Sequence, residues 1–95
     1  QQLSLATLPD DFPELVYVSF DLDGLDPAVL PATGTPVPGG LGFYQALDLV
    51  SSACSGRKIV GMDIVELAPS PAHPASNFTA ALVTYHLIAL ALSQR

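Results

Sequence analysis

The chain has 95 residues, 49% of them apolar and 13% charged, with a formal net charge of −6. That length allows one small domain and no more. Only Arg57, Lys58 and Arg95 are basic, so there is no cationic patch to neutralise phosphates and no nucleic-acid partner is expected.

The apolar share is high for so small a chain and predicts surface that something else normally covers. Gln1 to Leu8 has weak helical character, and Pro9-Asp10-Asp11-Phe12-Pro13 reads as a turn. The N-terminus has no basic region followed by an apolar core, so no signal peptide is expected. The first strand is predicted at about residues 15–21, where Val16-Tyr17-Val18-Ser19-Phe20 is rich in β-branched and aromatic side chains. It runs into Asp21 and Asp23. Residues i and i+2 of a strand share a face, so the two carboxylates leave the strand end as a pair. Such a pair repels itself unless a cation lies between the groups or one keeps a proton. Hard oxygen donors suit Mg²⁺ or Mn²⁺, and the C-terminal end of a parallel strand is where open α/β sheets bind ligands. Against this stands the common use of Asp-x-Asp in turns and helix caps.

Residues 22–40 read as a long loop carrying Thr33 and Thr35 near the strand end, with Asp26 as a loop tie or a further donor. Leu41 to about Cys54 is predicted helical, with Tyr44, Leu47, Val50 and Cys54 on its apolar side beside Phe43 and Ala46. Gly56 follows as a stop. Cys54, the single cysteine, excludes an internal disulfide, reads as a core residue and fits a reducing, cytoplasmic compartment. Ile59 to Leu67 is predicted as a second strand, covered on both faces as in parallel sheets. It carries Asp63 and Glu66, which require partners or a place at the strand end. His73 sits in a Pro-rich loop and reads as exposed. Ser76 is placed as the cap of a last helix, Asn77 to about Ser93. That helix is apolar almost all round, which predicts burial on more than one side, with His86 as a packed or partly exposed helix residue. The apolar run Ala80 to Leu92 is too short for a bilayer and contains Thr84, Tyr85 and His86, so no membrane partner is expected.

The order strand–helix–strand–helix predicts a βαβ unit with parallel strands. Two strands are too few for a stable sheet. The expectation is a single piece, residues 1–95, of a larger α/β sheet, or a module that gains strands by self-association.

Ser19 to Leu41, SFDLDGLDPAVLPATGTPVPGGL, and Gly61 to Leu67, GMDIVEL, closely resemble the C-terminal part of the ureohydrolase family, which includes arginases and agmatinases. The resemblance covers about residues 16–92. It implies the β-α-β-α C-terminal portion of a three-layer α/β/α parallel-sheet fold and a binuclear manganese centre that hydrolyses a guanidino compound. There a metal-bridging hydroxide attacks the guanidinium carbon, and the C–N bond breaks to release urea. By position, Asp21 matches the aspartate that bridges both Mn²⁺ ions and Asp23 an aspartate that binds one. Glu66 matches the glutamate that pairs with the guanidinium, and Thr35 the active-site threonine near the substrate. The family's Gly-Gly-Asp-His and Asp-x-His-x-Asp elements do not occur here. The chain alone is therefore expected to be an inactive fragment with an incomplete metal site and a tendency to form homo-oligomers. The VELAP segment and the start of the last helix look more agmatinase-like than arginase-like. Phe20-Asp21-Leu22-Asp23-Gly24 also resembles the first motif of haloacid-dehalogenase phosphatases, but Leu25 stands where that family has threonine.

Overall fold

A computed structural model describes residues 7–94. Most of the weakly helical start lies outside that span, and Thr7 and Leu8 are not helical. The order is β1 (Leu15–Asp21), α1 (Phe43–Ala53), β2 (Lys58–Val65) and α2 (Ala75–Ser93). β1 and β2 pair in parallel, with α1 as the crossover. This is the βαβ order that the alternation of apolar runs and turn residues predicts.

Burial alternates along β1, whereas β2 is half-buried from Gly61 to Ile64. On β1, Val16 and Phe20 are buried while Leu15, Tyr17, Ser19 and Asp21 are exposed. Phe20 packs in one cluster with Ala46 of α1 and Ala80, Val83 and Leu87 of α2, and Val16 in a second with Cys54 and Ile59. The expectation of a β2 covered on both faces is corrected. Among the described residues the helices cover one face, and the other, with Tyr17, Ser19 and Asp63, stays open.

The pairing register shifts once. Val16 faces Ile59, but Tyr17 faces Gly61, so Val60 is an extra residue. A bulge of this kind moves every later side chain of its strand to the other face. Without it Asp63 would lie beside Phe20 in the core; with it Asp63 pairs with Ser19 on the open face. Gly61 lets the Tyr17 ring lie directly over the strand, since a Cβ there would stand 2.9 Å from two ring carbons.

The loop after β1 is less loose than its composition suggests. Leu22–Gly24 form a 3₁₀ turn, and Leu25 bridges to Leu41. Leu22, Leu25 and Leu30 are at most 1% exposed, and burying a leucine is worth about 2 kcal/mol. Asp26 ties the loop ends: its carboxylate accepts from the Ala28 N–H at 2.9 Å and the Gly39 N–H at 3.0 Å. Because Leu41 is engaged in that bridge, α1 starts at Phe43 and not at Leu41. Its N-cap is Gly42, whose N–H donates to Gln45 Oε1 at 2.9 Å. Tyr44 is 70% exposed and leaves the apolar side assigned to it. Gly56, with φ +74°, makes the turn after α1.

α2 also differs from expectation. It begins at Ala75, ahead of Ser76, and has no side-chain cap. One stripe, Ser76, Ala80, Val83 and Leu87, is buried, while Phe78, Tyr85, Ile88 and Leu92 are exposed, so the burial on several sides is not seen among the described residues. At 19 residues the helix reaches the length and apolarity of a bilayer span, which the shorter run Ala80 to Leu92 does not. Its buried stripe is nevertheless engaged by the sheet.

Candidate metal and substrate site

β1 ends at Asp21, and the 3₁₀ turn that follows carries Asp23 back toward it. The Asp23 N–H donates to Asp21 Oδ1 at 3.0 Å. The Asp23 carboxyl beside it pushes Asp21 up, with burial and the charges of Asp23 and Glu66 adding to it and the Asp23 N–H opposing it. The Asp21 carboxyl in turn pulls Asp23 down, with help from the Thr35 hydroxyl. The two carboxyls thus titrate as a pair, as close like charges do. Thr35, far along the loop, donates its hydroxyl to Asp23 Oδ2 at 2.6 Å.

Glu66 lies just past the end of β2, and the predicted strand to Leu67 stops short at Val65. Its φ is +72°, the only left-handed non-glycine backbone among the described residues. That turn ends the strand alternation before Glu66. Glu66 is exposed, and its charge is felt at Asp21. Asp21, Asp23, Thr35 and Glu66 therefore gather at one end of the strand pair.

Asp63 was the residue whose partners the sequence left unnamed. Ser19 Oγ donates to Asp63 Oδ1 at 2.7 Å, and the Tyr17 hydroxyl donates to Oδ2 at 3.0 Å. The only advance signal was that an acid inside an apolar strand needs donors. The hydrogen bond to Asp63 raises the Tyr17 phenol, with burial and the carboxylate charge adding to it. Replacing Asp63 by alanine is expected to bring the Tyr17 titration back down toward its ordinary value of 10.0; ring-carbon NMR shifts against pH measure this directly.

The remaining candidates fall elsewhere. His73 is exposed in the loop before α2. His86, also exposed, stacks edge-on with Phe43 at 5.8 Å and Tyr85 at 5.9 Å. Cys54 is 5% exposed, and burial pushes its thiol up against the opposing charge of Arg57, which suits an inert core residue. Lys58 pairs with Leu15 at the opposite end of the strands from Asp21, where a phosphatase lysine would be out of reach. A cleft of about 490 Å³ opens at that opposite end, lined by residues such as Ser51, Ser55, Arg57 and Lys58; it contains none of the site residues.

The donor chemistry at Asp21 and Asp23 fits a hard divalent cation, which would relieve the repulsion between the two carboxylates. The donor count is small. Among the described residues no three His, Cys, Asp or Glu side chains stand together as a metal-holding group.

The model of the arginase family matches residues 4–90. The chain belongs to the arginase family. It is 47% identical over 75 residues to the N(1)-aminopropylagmatine ureohydrolase of Thermus thermophilus, covering 79% of this chain and 25% of that protein. It is 58% identical over 55 residues to the agmatinase of Chromobacterium violaceum, covering 58% and 17% respectively. Among solved structures, a putative agmatinase from Clostridium difficile superimposes with a TM-score of 0.71 at 32% identity, over 84% of this chain and 30% of that one. This arginase-family chain thus spans about a quarter of the length of the curated relatives it matches, and its α/β unit is a piece of the arginase-type fold.

Proposed function

We propose that this chain supplies one wall of a manganese-dependent guanidino-hydrolase centre, with a substrate of the agmatine type, and releases urea only as part of a complete centre. The observation that carries the proposal is the Asp21–Asp23 pair held together at the strand end by the Asp23 N–H and by Thr35, with Glu66 close enough to perturb it, in a chain of the arginase family. Asp21 and Asp23 hold the metal. Glu66 offers two carboxylate oxygens to a planar guanidinium. Thr35 orients Asp23 through the bond it donates and borders the substrate. A pair of bound Mn²⁺ ions supplies hydroxide at neutral pH. Preference for agmatine over arginine is supported by relatives named agmatinase or aminopropylagmatine ureohydrolase.

The 95-residue chain by itself is inactive in this reading, because the donors at the strand end are too few for two metal ions. It works in the reducing cytoplasm, where the Cys54 thiol persists. The open sheet face, with Leu15 and Tyr17 59% and 61% exposed, favours a second behaviour, self-association without catalysis. Mn²⁺ titration by electron paramagnetic resonance, urea assays with agmatine and arginine, and light scattering test these readings together. Weak Mn²⁺ binding, no urea from the chain alone and a mass above the monomer are expected. Absence of any Mn²⁺ binding overturns the centre, and urea release by the isolated chain overturns its inactivity.

A further inference from the structure

Ser76 is 1% exposed, as deeply buried as the core leucines. It lies in the first turn of α2 without capping it. Its Oγ accepts from the Ala32 N–H, 3.4 Å away and buried. The Ala32 carbonyl in turn accepts from the Ala68 N–H at 2.7 Å. Ala68 is two residues beyond Glu66, whose φ of +72° is a conformation that a glutamate keeps only when its surroundings impose it. Next to Ala32, Thr33 Oγ1 is buried and finds no partner among the described residues, so its hydroxyl adds nothing to this hold. The side chain that anchors the loop to α2 here is Ser76.

We propose that Ser76 is a positioning residue that fixes the aim of Glu66 through Ala32 and Ala68. This rests on the reading of Glu66 as the guanidinium partner. The hydroxyl of Ser76 sets the height of the Ala32 peptide over α2. That peptide sets the start of the loop after β2, and the loop holds Glu66 in its left-handed turn. The role is specificity in binding, since Ser76 itself, sealed in the core, touches no substrate.

The test compares the 95-residue chain with Ser76→Ala and Ser76→Thr, reading amide hydrogen exchange by NMR and agmatine binding from the shift of the Glu66 amide. Ser76→Ala is expected to speed exchange at Ala68 by about fivefold and to weaken agmatine by a similar factor, the scale of one hydrogen bond, with the β1–β2 amides unchanged. Ser76→Thr, which keeps the hydroxyl, restores both. Unchanged exchange at Ala68 overturns the clamp whatever binds. Faster exchange with unchanged agmatine affinity overturns the positioning role. Faster exchange where even the unmodified chain binds no agmatine removes the Glu66 substrate reading and leaves the clamp standing. If Ser76→Ala does not fold, Ser76→Cys, of similar volume and weaker as an acceptor, carries the same comparison.

Discussion

Gly40→Ala is expected to destabilise the chain by about 2–3 kcal/mol, the upper range for overpacking, and to loosen Thr35 from Asp23. A Cβ at Gly40 would stand 2.7 Å from the Asp26 nitrogen, 2.8 Å from the Leu25 carbonyl carbon and 2.9 Å from the Gly24 oxygen. All three atoms are backbone, so no side chain can swing aside. The crowded strand is the one that carries the Asp26 N–H to Leu41 O and Leu41 N–H to Gly24 O bonds, at 2.8 and 2.9 Å. Relief therefore means breaking the bridge that closes the loop on which Thr35 rides. Neighbouring glycines calibrate the effect. Gly34 has nothing within 4 Å and no left-handed φ, so Gly34→Ala is expected to change stability by less than about 0.5 kcal/mol. Gly39 has open space but φ +86°, so Gly39→Ala costs about 1 kcal/mol from backbone strain alone. Thermal unfolding of the three variants gives the ranking. Equal shifts for Gly34→Ala and Gly40→Ala contradict the crowding described.

What could be read from the residues alone, and what could not, divides along the range of the interactions. The Asp21–Asp23 pair was legible because two acids closing an apolar, β-branched run are a local contradiction, but the strand period does not place them: Asp23 lies past the strand end in the 3₁₀ turn, and the turn brings it back to Asp21. The βαβ order was legible for the same local reason. The face occupied by Asp63 was not. It depends on the extra residue at Val60, a shift that the sequence of β2 does not announce and that moves Asp63 from beside Phe20 to beside Ser19. The start of α1 was misplaced because Leu41, a good helix former, is taken by Leu25 on the far side of the loop. Ser76 looked like a cap because it stands before an apolar run, but α2 had already begun and the hydroxyl serves a peptide 44 residues away. Tyr44 and the outer side of α2 carry apolar residues at positions that the described elements leave exposed. In a chain that spans a quarter of its relatives' length, an apolar period marks faces that want covering and does not say which of them this chain covers.

Asp21→Asn and Asp23→Asn are each expected to weaken Mn²⁺ binding by about tenfold or more, because a hard cation's affinity follows the number of charged oxygens it meets. The two differ in what they do to the partner left behind. The Asp23 carboxyl is the main cause that holds Asp21 above its ordinary value, so Asp23→Asn lets Asp21 titrate lower. Asp21→Asn removes the carboxyl that pulls Asp23 down and leaves the smaller support of Thr35. The signs for stability are opposite. Asp21 binds its proton more tightly folded than unfolded, so its contribution grows as pH falls through its raised value and is lost as pH rises. Asp23 holds its proton less tightly folded, so its contribution is present above the unfolded value and is lost as pH falls through its lowered one. A cation between the carboxylates competes with the proton that Asp21 takes up on acidification. Stabilisation by Mn²⁺, read as the difference in melting temperature with and without the ion, is therefore expected near neutral pH and to fade on acidification once Asp21 takes up its proton, above the usual aspartate range. A Mn²⁺ shift that persists down to the ordinary aspartate value means that the ion does not compete with protonation of Asp21, and the metal then belongs elsewhere on the chain.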